Sequence, residues 1–356
     1  MYLQSGKREN CEPAIFYRLG KTTCHFDRRE KSSKSDITAC KVWRIGFLPT
    51  VEMTFLNNAL DNLMIKRLFF FAMAVAICGP SFAQDVPGAV MFHIYSSHTS
   101  FPDSARRNGH LYDSVLYTTA EHYNDSTVLI IAPKNLDAKK KVDMVFWFHG
   151  WRNSVDNAAA YYELTKQFIE AKRNAVLVLA ETAKNSPDSY GGKLERPGDF
   201  KALVADVMQG LRSKGLVSAG CQPGHILLGG HSGAYEVMAM IIKNGGMPID
   251  EAMLFDSLYG KTEIFMDWIK ADKNHRFIHL YTDFGYGPKE ESAHMNKLLD
   301  TAHISYFMVE EKDLKPEMYE KYPLIYVHSL KQHNDIVNQD NFRLMLENTP
   351  FLKPGM

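Results

Sequence analysis

The stretch Ile226-Leu-Leu-Gly-Gly-His-Ser-Gly-Ala-Tyr235 passes from an apolar strand, through a sharp turn of small residues, into a helix-forming sequence. A serine hydroxyl is a weak nucleophile at neutral pH unless it is held exposed beside a base. A tight strand-to-helix turn does this by lifting the side chain clear of the sheet. Such a turn forces backbone angles that few residues tolerate, so the positions two before and two after the serine must be small. Here they are Gly230 and Ala234, the second a departure from the usual G-x-S-x-G pattern. The segment reads as a nucleophile elbow presenting Ser232; the competing reading is a glycine-rich turn with no chemistry.

Upstream, Val142-Asp-Met-Val-Phe-Trp-Phe-His-Gly-Trp151 is an apolar strand ending in His-Gly. Acyl transfer develops negative charge on a carbonyl oxygen and needs two preorganised N–H donors. One typically follows the nucleophile and the other lies in the loop after an earlier strand. The candidates are the backbone N–H groups of Gly233 and Trp151.

From about Thr127 to the C-terminus these motifs and their order resemble the α/β-hydrolase superfamily, and more narrowly secreted bacterial serine hydrolases and esterases. The resemblance implies a three-layer α/β-hydrolase-like fold with a mostly parallel central sheet. It also implies a catalytic triad in the chain order serine, acid, histidine. Strands are expected at Ala175–Ala180, Ala252–Asp256, Phe277–Asp283 and Ile304–Val309, with a helix near Phe200–Arg212. Two acids compete. Strand counting from the superfamily favours Asp283, whereas Asp256 emerges from a strongly apolar strand, where an unpaired carboxylate would be costly. The reading takes Asp256, with Asp283 as the alternate acid. The base is assigned to His333, in a polar loop before a helix-like run over 335–346, because His328 lies in an apolar extended run that suits a strand histidine. His231 should point away from its neighbour Ser232 and receives no proton-transfer role.

Met64-Ile-Lys-Arg-Leu-Phe-Phe-Phe-Ala-Met-Ala-Val-Ala-Ile-Cys-Gly-Pro-Ser-Phe-Ala83 has a short basic start, an apolar run and a small-x-small ending, the marks of a secretory signal cleaved after Ala83. Its apolar run falls short of the about 20 residues that span a bilayer. Residues 1–63 then read as a non-native, disordered upstream extension, with basic clusters and no sustained periodicity. Residues 84–356 read as a single α/β-hydrolase-like domain, exported to the periplasm or secreted. Of 41 basic and 41 acidic residues, 12 and 7 lie at or before Ala83, which leaves the remainder mildly acidic at 29 against 34. No basic stripe with interleaved aromatics suggests nucleic acid. Cys221 alone of the 5 cysteines follows Ala83, so stability must come from the core of roughly 270 residues.

Four polar aromatics, His98, His110, His122 and Tyr123, match no tight metal-ligand spacing. The long irregular stretch 182–199 makes Tyr190, Lys193 and Glu195 candidates for substrate contact, or else a plain surface loop capped by Asp199. The short connection after Asp256 leaves no room for a large inserted lid. The expected function is an exported serine hydrolase acting through an acyl-enzyme on a small or carbohydrate-linked ester. It needs no metal or organic cofactor and makes no stable membrane insertion after signal cleavage. The alternatives are an amidase or peptidase with the same triad, and a non-catalytic binding protein on the same scaffold.

Overall fold

The computed structural model describes residues 86–355, apart from 284–286 and 339. The expected upstream extension and signal segment lie outside these residues. Nine strands form one sheet. Its members are β1 (Ala89–Tyr95), β4 (Thr127–Pro133), β5 (Lys141–Phe148), β6 (Ala175–Ala180), β7 (Gln222–His231), β8 (Glu251–Phe255), β9 (Arg276–Thr282), β10 (Phe307–Glu310) and β11 (Leu324–Ser329). A separate hairpin pairs β2 (His110–Tyr112) with β3 (Val115–Tyr117). The sheet order is β1-β4-β6-β5-β7-β8-β9-β11-β10. β4 runs antiparallel to both neighbours and β5 through β11 pair in parallel.

Parallel strands covered on both faces should be continuously apolar rather than alternating. Ala-Val-Leu-Val-Leu-Ala in β6 and Glu-Ala-Met-Leu-Phe in β8 are buried at every position. One face carries α3 (Asp199–Ser213), α4 (Tyr235–Asn244), α5 (Thr262–Ala271) and α6 (Pro288–Thr301), which pack Phe200, Leu203, Met238, Phe265 and Met295 against Phe146, Leu228 and Phe277. The other face carries α1 (Val155–Tyr161), α2 (Leu164–Glu170), α7 (Pro316–Lys321) and α8 (Asn341–Asn348), whose Phe168, Tyr319 and Phe342 cover Trp147, Phe255 and Ile325. The expected three-layer α/β arrangement is therefore present. No helix among the described residues is long and apolar enough to cross a membrane.

Sequence expectations hold closely in the core and loosen toward the C-terminus. β6 has the expected bounds, but the strand expected over 304–309 is confined to Phe307–Glu310. The helix-like run over 335–346 divides into a 3-10 turn at His333–Asp335 and α8 from Asn341. The α3 helix is preceded by Gly198 in the left-handed region, so Asp199 is its first residue, not its cap, and pairs with His98.

In the parallel region β5 lies between β6 and β7, so the chain leaves it to one side and later returns on the other. The crevice outside the strand ends at such a switch point is where open α/β sheets bind ligands. The loop after β5 and the turn after β7 meet there.

Candidate active site

Ser232 follows the last residue of β7 and has φ of +57°, a left-handed conformation that a side chain adopts only at a cost. The small neighbours are needed for contact reasons. A Cβ added at Gly230 would fall 2.6 Å from Ala234 Cβ, 2.7 Å from Met238 Sδ and 3.2 Å from the Phe148 carbonyl oxygen. Alanine is thus accommodated at 234 because its facing partner is glycine. Gly150, from the loop after β5, approaches so closely that an added Cβ would sit 2.6 Å from Ser232 Cβ. The turn at Ser232 and the His-Gly segment are in direct contact, as the oxyanion reading requires.

Asp256 follows β8, is fully buried, and also has a left-handed φ of +45°. Its carboxylate accepts from His333 Nδ1 at 2.6 Å, Thr282 Oγ1 at 2.8 Å and the Thr282 N–H at 2.9 Å. Burial pushes this carboxyl up, but the His333 bond and the two Thr282 bonds outweigh it and hold it below the ordinary carboxylate value. Asp283, the alternate acid, lies half-exposed after β9 and pairs with Lys289 at 2.5 Å and His328 Nε2 at 3.2 Å. His328 sits on β11 and also meets Glu310 at 3.0 Å. The structure therefore brings His333 to Asp256, and gives Asp283 and His328 to each other. Asp256 follows the first strand after the elbow, one strand earlier than the superfamily count suggests.

His231 points away from the nucleophile turn, as expected of adjacent residues, but it has a use. Its Nε2–H donates to the His333 carbonyl at 2.9 Å and its Nδ1 accepts from the Tyr162 hydroxyl at 3.0 Å. The tautomer follows from those partners. Burial, and then nearby His333, lower its pKa to about 3, so it is neutral and acts as a fixed hydrogen-bonding bracket.

The peptides that carry the two candidate oxyanion donors are held from behind. Ser257 Oγ donates to the Ser232 carbonyl at 2.7 Å, and His149 Nδ1 donates to the Gly150 carbonyl at 2.8 Å. In a trans peptide the C=O and N–H point in opposite directions, so fixing these carbonyls aims the N–H groups of Gly233 and Trp151. Buried His149 also donates from Nε2 to Glu181 Oε1 at 2.6 Å. Facing a carbonyl on one nitrogen and a carboxylate on the other, the ring must donate from both. Burial alone would lower its pKa, yet the Glu181 charge and hydrogen bonds raise it overall. Glu181 directly follows apolar β6, the same signal that singled out Asp256 in the sequence, and went unread there.

A cavity of about 1230 Å³ opens over Ser232 and His333 and is lined by Trp151, Tyr161, Tyr162, Tyr235 and Tyr259 together with Arg152, Asn153 and Asn157. The Trp151 indole lies against Gly233, donates to Ser189 Oγ at 2.7 Å and meets the Tyr112 ring of the β2–β3 hairpin at 5.3 Å. The long loop contributes Ser189 to the lining. Its proposed contact residues are instead used to brace the loop. The Tyr190 hydroxyl donates to Asp103, Lys193 Nζ to the Ser97 carbonyl, and Glu195 accepts from the Gly191 N–H. Of the four polar aromatics, His98 is taken by Asp199, and His122 by the Lys184 carbonyl. No group of three metal-ligating side chains occurs among the described residues.

The sheet has β4 antiparallel to both its neighbours and a parallel remainder, and a left-handed serine turn follows its fifth strand, β7. The architecture is α/β-hydrolase-like. No family profile matches the chain, and no curated protein matches it in sequence. Among solved structures it is similar to a ferulic acid esterase at 10% identity and a TM-score of 0.49, over 74% of this chain and 98% of that one. It is also similar to a bacterial heroin esterase, at 12% identity and 0.43 over 81% and 91%. An esterase from Pyrobaculum calidifontis matches at 11% and 0.43 over 83% and 93%.

Proposed function

We propose that this protein is an exported serine hydrolase that cleaves a small or carbohydrate-linked ester, with Ser232 as nucleophile, His333 as base and Asp256 as the acid that orients it. The observation that carries the reading is the convergence of a left-handed Ser232 with a His333–Asp256 bond of 2.6 Å on one cleft. Asp256 accepts the Nδ1 proton and so keeps Nε2 as the nitrogen able to take the Ser232 proton. Attack on the ester carbonyl gives a tetrahedral oxyanion facing the N–H groups of Gly233 and Trp151. His333 then returns the proton to the leaving alcohol, and water, activated by the same imidazole, releases the acid from the acyl-enzyme.

Aromatic walls on an open cleft suit a compact acyl or aryl group, or the face of a sugar ring. Export rests on the signal-like segment at 64–83, with Gln84 as the mature N-terminus. A fluorophosphonate probe tests the chemistry: the wild type should gain the probe mass on Ser232, and Ser232→Ala should lose both labelling and turnover on an ester panel. Unchanged turnover in Ser232→Ala refutes the reading. Intact-mass measurement of the exported product tests the start site, with a retained 1–63 segment as the refuting result.

A further inference from the structure

We infer that the ester carries an anionic group, a carboxylate or a phosphate, and that Arg152 receives it; this rests on the serine hydrolase reading above. Among the described residues, and apart from the two histidines, Arg152 is the one cationic side chain lining the cleft, and no aspartate or glutamate lines it. Two acids on the segments that border the cleft, Asp156 at the start of α1 and Asp188 beside the cleft-lining Ser189, are already matched. Asp156 pairs with His93 and Asp188 with Arg106, while no ion pair holds Arg152 among the described residues. Its side chain is exposed to the cleft. An exposed guanidinium that lines the cleft with no counter-charge of its own is open to an anion that enters with the substrate.

The backbone that presents Arg152 is built, not loose. The residue has a left-handed φ of +55°, which a branched or long side chain does not adopt without support. The support is a pair of bonds to the facing loop: the Arg152 N–H donates to the Ser186 carbonyl at 2.9 Å, and Asn185 N–H donates to the Asn153 carbonyl at 2.7 Å. Ser186 is in turn bonded to the buried Tyr123 hydroxyl. Arg152 also directly follows Trp151, whose N–H faces the reacting carbonyl in the proposed mechanism. Arg152 lines the same cleft as Ser232 and Gly233, so an anionic group on the acyl or on the alcohol side of a bound ester would share that cleft with the guanidinium. A planar fork of donors suits a carboxylate or phosphate held in two-point contact.

Two matched ester pairs separate the two sides. The acyl pair is 4-nitrophenyl valerate against mono-4-nitrophenyl glutarate, and the alcohol pair is phenyl acetate against 4-acetoxybenzoate, each rate normalised to its hydroxide reaction. The readout is the anionic-to-neutral ratio of kcat/KM. In one pair Arg152→Gln should lower that ratio by about tenfold to a hundredfold, the range for a lost charge-assisted contact, and Arg152→Lys should recover part of it. Raising ionic strength from about 0.02 M to about 0.5 M should shrink the wild-type ratio and leave that of Arg152→Gln flat. Equal ratios for wild type and Arg152→Gln in both pairs overturn the inference. If Ser232→Ala is then inactive on all four esters, the hydrolase reading stands without it; if Ser232→Ala is as active as wild type, the hydrolase reading itself has failed.

Discussion

Replacing Asp256 by asparagine tests the site at its most informative point. The carboxylate accepts three hydrogen bonds in a fully buried position. Asparagine keeps the shape and can still accept from the Thr282 N–H with its carbonyl oxygen. Its NH₂ then occupies the position that faces His333 Nδ1 and Thr282 Oγ1, and two donors confront each other where one donor met an acceptor. The imidazole relieves this by moving its proton to Nε2, which leaves no lone pair there to take the Ser232 proton. In serine proteases the equivalent change costs about 10⁴ in turnover, and a loss of at least 10³ is expected here. Two weakened contacts to a buried charge should also cost roughly 2–4 kcal/mol of stability, within a typical total of about 5–15 kcal/mol. The variant should therefore fold and bind substrate. The acylation rate is measured by stopped-flow release of 4-nitrophenol or by the rate of phosphonate labelling, beside a urea melt. Asp283→Asn is the control and should lose less than tenfold, since Asp283 serves Lys289 and His328 at a half-exposed edge. A nearly normal Asp256→Asn beside an inactive Asp283→Asn would refute the assignment.

Ser257→Ala removes the donor that aligns the Ser232 carbonyl, so kcat should fall about tenfold to a hundredfold with KM little changed, a milder form of losing an oxyanion donor; an equal rise in KM at constant kcat would contradict it. Glu181→Gln leaves buried His149 without its counter-charge and should cost about 3–5 kcal/mol in a urea titration, whereas a neutral effect would show that the pair is not ionic. Gly230→Ala should abolish soluble expression or labelling, and Ala234→Gly in the same chain should restore part of it, which a probe-labelling gel reads directly. Acid should unfold the protein through His231 and through His279, which is fully buried on β9 beside the Ser292 hydroxyl; their folded pKa values, about 3 and about 4, are depressed below the ordinary 6.5 mainly by burial. Stability from these two is intact above about pH 6.5 and declines as pH falls toward their folded values, at up to about 1.4 kcal/mol per pH unit for each proton taken up. His149, with its raised pKa, has the opposite sign and weakens the fold only as pH rises through its folded value. Urea midpoints that stay flat between pH 7 and pH 4 would count against the first claim.

How much of this was legible in the sequence depends on how local the cause is. The elbow, the strand ending in His149-Gly150 and the buried strands were readable, because small residues at fixed offsets and unbroken apolar runs are local consequences of a turn and a two-sided sheet. That Asp256 would have a specific partner was readable for a related reason: a carboxylate leaving a strand as apolar as β8 must have one. What was not legible depends on contacts between distant segments. His231 holds the His333 carbonyl across 102 positions, and Tyr190, Lys193 and Glu195 look like ligand-binding residues until Asp103, Ser97 and Gly191 are seen to engage them. Arg152 carried no signal at all, since its meaning lies in which carboxylates are missing around it.

The contact between Gly230 and Ala234 also constrains how this sequence could have diverged. With Cβ atoms at both positions 2.6 Å apart, two alanines cannot coexist, and a methyl group at 230 would still meet Met238 Sδ at 2.7 Å even with glycine at 234. A lineage that moves the methyl from one side of the serine to the other must pass through glycine at both sites, because the alternative intermediate does not close the turn. The Met238 sulfur and the Phe148 carbonyl make the route asymmetric, favouring descendants that keep glycine before the serine. The methyl group of Ala234 is therefore tolerated only while position 230 stays glycine, so the two sites share one allowance of space.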